Sequence, residues 1–331
     1  MREFSDQIPG QFRVAVVLLN YRTPDLIVQC LESLVPQIEP NEARVVVVDN
    51  HSEDGSYKQI QAAVEERAWG DRVHVLASGH NGGFSFGNNY GIRRIDAELY
   101  LLLNSDTFLR EGALAELVGA ADQHPKAEML SPRLEWPDGT PQESTFTFHR
   151  PGWELIHSAG TGLVSRALRR YTVARPVTDQ PTDFEWTSFA CVMVRKSLFD
   201  RIGLLDEGYF MYFEDVDFCR RAHSAGAEVL HWPAARVVHL RGGSSDVKSS
   251  IAERKRPPRY FYASRARYYK KYYGAPGLFL TNLLWYLGRT VSLLRELVRN
   301  KSPHLCQREG RDIWIAFGAP VREGSQQEAT S

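Results

Sequence analysis

The chain has 331 residues, 43% of them hydrophobic, and its 40 Lys plus Arg balance 40 Asp plus Glu. That length holds one large domain, or one domain with a helical appendage, and the composition excludes disordered and collagen-like classes. A zero net charge gives no whole-molecule field for nucleic acid, and Cys30, Cys191, Cys219 and Cys306 lack zinc-type spacing, which fits a reducing, cytosolic compartment.

In chain order, Met1 to Arg13 is polar and lacks the apolar core of a secretory signal. Val14 to Leu19 reads as a buried strand feeding the loop Asn20-Tyr21-Arg22-Thr23-Pro24. Leu26, Cys30, Leu31 and Leu34 follow at helical spacing. Arg44 to Val48 is a second buried strand, running into Asp49-Asn50-His51-Ser52-Glu53-Asp54. Tyr57 to Trp69 is helical by pattern and Val73 to Ala77 is a third strand. A polar, Gly-rich loop from Asn81 to Asn89 follows, then a helix to Ile95. Leu99 to Leu103 is a fourth strand, ending in Asn104-Ser105-Asp106. Strands alternating with helices imply right-handed crossovers and a parallel sheet, whose ligands sit beyond the carboxyl ends of the strands.

Past Pro132 the pattern turns irregular, with turn chemistry in 136–150 and a loop over 163–181. Trp186 to Val194 reads as a strand, Lys196 to Ile202 as a short helix, and Glu214 to Ala225 as a helix closed by Gly226. Val229 to His231 and Val237 to His239 are short strands. From Glu253 to Lys271 basic residues interleave with tyrosines. Leu280, Leu283, Leu284, Leu287, Val291, Leu294 and Val298 then form one helical stripe, which suits either an in-plane membrane helix or a helix packed on the domain. No stretch of about 18 apolar residues predicts a spanning helix.

Asp49 and Asp54 are placed to accept hydrogen bonds from a nucleotide's base or ribose, and equally to start turns or cap a helix. Asp106, directly after a buried strand, is a natural ligand for Mg²⁺ or Mn²⁺ at a diphosphate. Glu214, Asp215 and Asp217 crowd a helix start behind an aromatic approach, Tyr209 to Phe213. The helix dipole favours acids there, but an aromatic setting makes carboxylates costly unless they are used or paired. His239 ends a short strand that can return to the same edge.

These residues sit in longer motifs: Val-Ala-Val-Val-Leu-Leu-Asn-Tyr-Arg (14–22), Val-Val-Asp-Asn-His-Ser-Glu-Asp-Gly-Ser (47–56) and Asn-Gly-Gly-Phe-Ser-Phe-Gly-Asn-Asn-Tyr-Gly (81–91). They continue with Leu-Asn-Ser-Asp-Thr (103–107), the acidic run 204–221 and Pro-Ala-Ala-Arg-Val-Val-His (233–239). In this order the sequence resembles glycosyltransferase family 2, within it the bacterial rhamnosyltransferase-like branch, over roughly residues 14 to 245. The resemblance implies an α/β, GT-A fold: a Rossmann-like mixed, mainly parallel sheet flanked by helices, with a C-terminal helical extension. It divides the chain into a catalytic domain, 1–245 (nucleotide half about 14–110, acceptor half about 111–245), and a basic, amphipathic extension, 246–331.

The same resemblance implies inverting transfer of a sugar, rhamnose by branch, from a nucleotide diphosphate to a saccharide or lipid-linked saccharide of the cell surface. Asn20, Asp49, Asp54, Asn81, Gly82, Gly83, Asn88 and Ser105 would contact the nucleotide sugar. Asp106 and His239 would hold Mg²⁺ or Mn²⁺. Asp215 would be the general base, with Glu214, Asp217 and Trp186 supporting base or acceptor. The expected setting is cytoplasmic and peripheral, on the inner face of the plasma membrane through residues 254–299, with no nucleic-acid partner. Two departures from the family pattern are Phe189, where Gly is usual, and a metal triplet with a single carboxylate. A nucleotidyltransferase would carry a Gly-rich phosphate loop where Asn20 to Pro24 stands. A degenerate sugar-nucleotide-binding protein would have little reason to keep Asp106, Asp215 and His239 together.

Overall fold

The computed structural model describes residues 7–242, 246–299 and 303–321. The first half alternates as the hydrophobic pattern predicts: β1 (Gln11–Asn20), α1 (Pro24–Leu34), β2 (Ala43–Asp49), α2 (Ser56–Glu66), β3 (Val73–Ala77), α3 (Gly83–Ile92) and β4 (Asp96–Asn104). There follow β5 (Thr107–Leu109), α4 (Ala113–Gln123), β6 (Ala127–Glu135), β7 (Thr145–Phe146), α5 (Pro151–Ala159), α6 (Gly162–Ala167), β8 (Trp186–Thr187) and β9 (Cys191–Arg195). The chain closes with α7 (Lys196–Ile202), α8 (Glu214–Ser224), β10 (Glu228–His239), α9 (Asp246–Ala252), α10 (Arg259–Arg299) and α11 (Glu309–Asp312).

Eight strands form one sheet in the order β3-β2-β1-β4-β9-β6-β10-β5, and β7 pairs with β8 apart from it. The pairs β3-β2, β2-β1, β1-β4 and β6-β10 are parallel, while β9 runs antiparallel to β4 and β6, and β5 to β10. Alternate residues of β1 enter opposite cores. Val14, Val16 and Leu18 meet Ile27, Leu31 and Leu117, whereas Ala15 and Val17 meet Ile92, Phe199 and Phe218. Both faces are covered, which is why these strands read as continuous apolar runs.

The glycine-rich segment expected as a loop is helical from Gly83 onward. An added Cβ would lie 2.3 Å from Leu19 at Gly87 and 2.7 Å from Val17 at Gly91, so the missing side chains let α3 lie directly on the sheet. The single strand expected over Trp186 to Val194 is broken at Ser188-Phe189-Ala190 into β8 and β9. Conversely, the two short strands before His239 are one, β10, with a register shift between Trp232 and Arg236. The loop expected over 163–181 contains most of α6.

The C-terminal segment differs most from expectation. Much of its basic charge faces inward: Arg265 pairs with Glu154 at 3.0 Å, Arg267 with Asp206 at 2.8 Å and Lys271 with Asp217 at 2.6 Å. Tyr268 and Tyr269 are buried against Tyr209, Phe213 and Val216, while Tyr262 is buried with Trp285, Leu305 and Ile313. The first part of α10 therefore completes the core instead of presenting a basic strip to headgroups. At Gly274 (φ 70°) the helix breaks ahead of Pro276, and its second part runs along α5. There the leucine stripe faces away from the protein. Among the described residues no helix is long and apolar enough to cross a membrane.

Candidate functional site

The carboxyl ends of β1, β2 and β4 form one rim, carrying Asn20, Asp49 and Asn104. Asp106 reaches this rim because the chain leaving β4 reverses into β5, which pairs with β10 in a register that sets Thr107 opposite His239. Leu240 N–H donates to Asp106 O at 3.0 Å. The antiparallel register thus places two residues 133 positions apart in contact, His239 Nε2 lying 3.6 Å from Asp106 Oδ2 with both side chains almost fully buried. Gln142 Nε2 donates to His239 O at 2.7 Å and fixes the strand end from behind.

A cavity of about 290 Å³ opens beside this pair. Its polar wall holds Ser105, Asp106, Glu214, Asp215, His239 and Arg241, and its apolar wall includes Phe146, Trp186, Phe189 and Tyr212. Phe146 and Trp186 are stacked, centroids 4.2 Å apart, and Trp186 Nε1 donates to Thr147 O. Phe189, the bulky departure from the family pattern, forms part of the cavity wall against Phe218.

Tyr212 and Phe213 both take left-handed φ, 69° and 67°, immediately before α8. For bulky residues this is a costly conformation, and it makes the sharp turn that starts α8 at Glu214 on the cavity wall. Asp215 is half-buried there, and its Oδ1 accepts from Val216 N–H at 2.8 Å. Glu214 is buried. Desolvation, followed by the charge of Asp215, pushes its carboxyl well above the usual carboxylate range, which favours its protonated form. Glu214, buried, thus stands beside the half-buried Asp215 on one wall of the cavity.

Asp217 is a correction. Its side chain is fully buried away from the cavity, bonded to Arg221 Nε (2.9 Å), Lys271 Nζ (2.6 Å), Tyr272 OH (2.9 Å) and Tyr209 OH (3.2 Å). It joins α8 to α10 and does not face an acceptor.

A second polar cluster lies along the same rim. Asn20 Nδ2 donates to Asp49 Oδ1 at 2.6 Å, and Ser52 donates to the same carboxylate through Oγ (2.6 Å) and N–H (3.1 Å). Three of the roughly four acceptor positions of Asp49 are thereby filled. Asp54 is exposed, and hydrogen bonds from Ser56 hold its carboxyl below the usual range, so it shapes the entry to α2. Asn81 Oδ1 accepts from Gly83 N–H at 3.0 Å. Phe84 N–H donates to Phe210 O at 2.7 Å, and a Cβ on Gly83 would fall 2.0 Å from that oxygen. Only glycine lets this turn touch the segment leading into α8. Gly82 is tight against the ring of Phe86. Asn88 is buried with Nδ2 bonded to Phe84 O, inside α3 and away from the cavity. The two clusters meet through Thr23 Oγ1 donating to Ser105 Oγ at 3.1 Å, and through Tyr21 and Phe84 on the cavity wall.

Sequence reasoning missed Arg241, Glu143 and the Phe146–Trp186 stack. Arg241 was legible as a cation two residues past His239. Its guanidinium lines the cavity, bonded to Gln142 Oε1 (2.6 Å) and Glu143 O (2.7 Å). Phe146 had no local signal, because β7 exists only through its pairing with β8.

Residues 14–203 match the glycosyl transferase family 2 profile. The chain belongs to glycosyl transferase family 2. The low-salt glycan biosynthesis hexosyltransferase Agl10 of Haloferax volcanii is 29% identical over 68% of this chain and 66% of its own length. The N-acetylglucosaminyl-diphospho-decaprenol L-rhamnosyltransferase of Mycobacterium tuberculosis is 30% identical over 67% of this chain and 75% of its own. Among solved structures, mannosyltransferase PcManGT of Pyrobaculum calidifontis, in complex with GDP-Man and Mn²⁺, aligns with a TM-score of 0.54 at 15% identity, covering 90% of this chain and 80% of that one. That likeness establishes a GT-A fold for this glycosyltransferase.

The residues present fit a divalent cation. A carboxylate oxygen and an imidazole nitrogen 3.6 Å apart suit neighbouring positions around Mg²⁺ or Mn²⁺. Among the described residues no three His, Cys, Asp or Glu side chains converge, so a cation held by Asp106 and His239 would need its remaining donors from phosphate and water.

Proposed function

We propose that this chain is an inverting, divalent-metal-dependent hexosyltransferase that moves a sugar, rhamnose by its relatives, from a nucleotide diphosphate to a saccharide or lipid-linked saccharide acceptor. The observation that carries the reading is the meeting of Asp106, His239 and Asp215 around one cavity. Asp49 and the Asn81–Gly83 turn would contact the nucleotide at the rim beyond β1 and β2, and Ser105 stands between the two clusters. A cation on Asp106 and His239 would supply positive charge against the departing diphosphate. Arg241 adds a permanent positive charge on the same wall.

Asp215 takes the proton of the acceptor hydroxyl as its oxygen bonds to the anomeric carbon, and the bond from that carbon to the diphosphate breaks on the opposite side. Glu214, whose burial favours the protonated form, donates a hydrogen bond to a substrate oxygen and leaves the role of base to Asp215. Trp186, backed by Phe146, offers a flat apolar face for a sugar ring. Asp215→Asn tests the assignment. A panel of nucleotide sugars with Mn²⁺ should raise the melting temperature of both proteins equally. Transfer should fall about a hundredfold to ten-thousandfold in the variant. Near-normal transfer by the variant would remove Asp215 from the role.

A further inference from the structure

The second part of α10 is an amphipathic helix turned inside out. Its inward positions are small or polar: Thr281, Asn282 and Ser292 are fully buried, with Trp285 and Gly288 between them. A Cβ on Gly288 would come within 2.1 Å of Ser158 Oγ and 2.5 Å of Leu155 O, so α10 lies against α5 on its glycine. From residue 279 to 298, eleven positions are exposed. Ten of them are Leu, Val, Phe or Tyr, the eleventh is Thr290, and none is charged. Leu294 is 60% exposed, Leu297 82% and Val298 83%. An uncharged face about 30 Å long is far from what water-facing helices carry. The segments outside the described residues hold only Met1 and Phe4 as large apolar side chains, too few to cover it.

The surroundings are basic. Arg295 donates to Gly160 O, so α6, which begins at Gly162, lies beside the far end of α10. There Leu163 is 80% exposed, and Arg166, Arg169 and Arg170 are exposed with no carboxylate partner among the described residues. No Asp or Glu occurs between Glu154 and Asp179, or between Glu253 and Glu296. A second copy would bring these same carboxylate-free segments, 155–178 and 254–295, and so no complementary charge from them, whereas anionic headgroups complement the arginines.

We propose that the leucine face of α10 and the arginines of α6 and the turn after it (Arg166, Arg169 and Arg170) form a seat for an anionic lipid surface, with the helix lying in the plane of the interface. The same helix, through Lys271 and Asp217, abuts the back of the acidic helix, so the seat and the cavity belong to one packed unit. The seat does not depend on the reaction proposed above.

Flotation with phosphatidylcholine vesicles, with and without a third of phosphatidylglycerol, tests it. Wild type should float with the mixed vesicles. L287E/L294E should bind them about a hundredfold more weakly. R166E/R169E/R170E should lose the preference for phosphatidylglycerol. All replaced side chains are exposed, so circular dichroism and the thermal shift with nucleotide sugar should be unchanged, which separates failure of the seat from failure of the catalytic reading. Wild type that stays with the lipid-free fraction overturns the proposal. So does equal flotation of L287E/L294E, or a dimer in light scattering that this variant splits while vesicles bind neither protein.

Discussion

Asp217→Asn separates a structural from a catalytic reading of the acidic helix. The carboxylate accepts hydrogen bonds from Arg221, Tyr209 and Tyr272 and pairs with Lys271, with none of its own surface exposed. Removing one partner of a buried pair costs about 3–5 kcal/mol, because the remaining charge is left uncompensated. Here both cations keep other partners. Arg221 still donates to Ile202 O and Leu204 O, each at 2.8 Å, and Lys271 still pairs with Asp206 at 3.0 Å. The low end, about 3 kcal/mol, is therefore expected. Against a total stability of about 5–15 kcal/mol that is a large fraction, readable as a shift in urea midpoint by tryptophan fluorescence. Asp217→Asn and Lys271→Met should be coupled in a double-mutant cycle by about 1–3 kcal/mol. Where the variant folds, its KM for acceptor should be unchanged. A midpoint at the wild-type value with a large rise in acceptor KM would refute the reasoning and return Asp217 to the cavity.

Other perturbations reach different parts of the site. EDTA should abolish transfer, and His239→Ala should raise the Mn²⁺ concentration needed for half activity at least tenfold; full activity in EDTA would end the metal assignment. Gly83→Ala, which meets Phe210 O at 2.0 Å and must hold φ +86°, should cost about 2–3 kcal/mol and weaken nucleotide-sugar binding, as read by thermal shift. His149, packed near Trp186, Phe213 and Tyr268, is lowered by burial from 6.5 to about 4. The unfolded chain therefore takes up its proton first as pH falls, so the stabilisation held above the ordinary histidine range is lost toward pH 4, by up to about 3 kcal/mol. His149→Gln should flatten that part of the stability profile relative to wild type, and identical profiles would contradict the burial argument.

The nucleotide half was legible because its signals are local. Runs such as Val45 to Val48 are buried on both faces, and each strand ends in polar residues at the rim where ligands bind. Asp106 and His239 stood out at strand ends and Asp215 in the acidic helix start that the family resemblance singles out, although the meeting of Asp106 with His239 depends on the long-range β5–β10 register. What sequence missed was set by tertiary context. The Gly-rich segment after Asn81 has the composition of a loop, but its glycines serve helix-to-sheet packing. Asp217 has the same local setting as Asp215, and only the arrival of Lys271 from 54 residues downstream gives it a different partner. The leucine stripe after Leu280 was clear as a period. Which way it faced was decided by Gly288, the residue small enough to let α5 approach the opposite side.

The same contacts explain why the acidic helix can be built at all. Glu214, Asp215 and Asp217 occupy the first turn of α8, and a helix dipole offsets only about 0.3–1 kcal/mol per charge at such a position. Three buried negative charges would exceed that severalfold. The chain relieves the conflict for two of them: burial favours the protonated form of Glu214, and Asp217 is paired with Arg221 and Lys271, which leaves Asp215 on the open cavity wall. Losing Lys271 would leave Asp217 with Arg221 as its remaining cation and loosen the junction that holds α8, and with it Asp215, on the cavity wall. It follows that a chain cut before α10 should lose transfer even with every cavity-lining residue intact, and that adding residues 246–331 in trans should restore it only if α10 docks. If the shortened chain folds and transfers at the full rate, the acidic helix does not need the lysine.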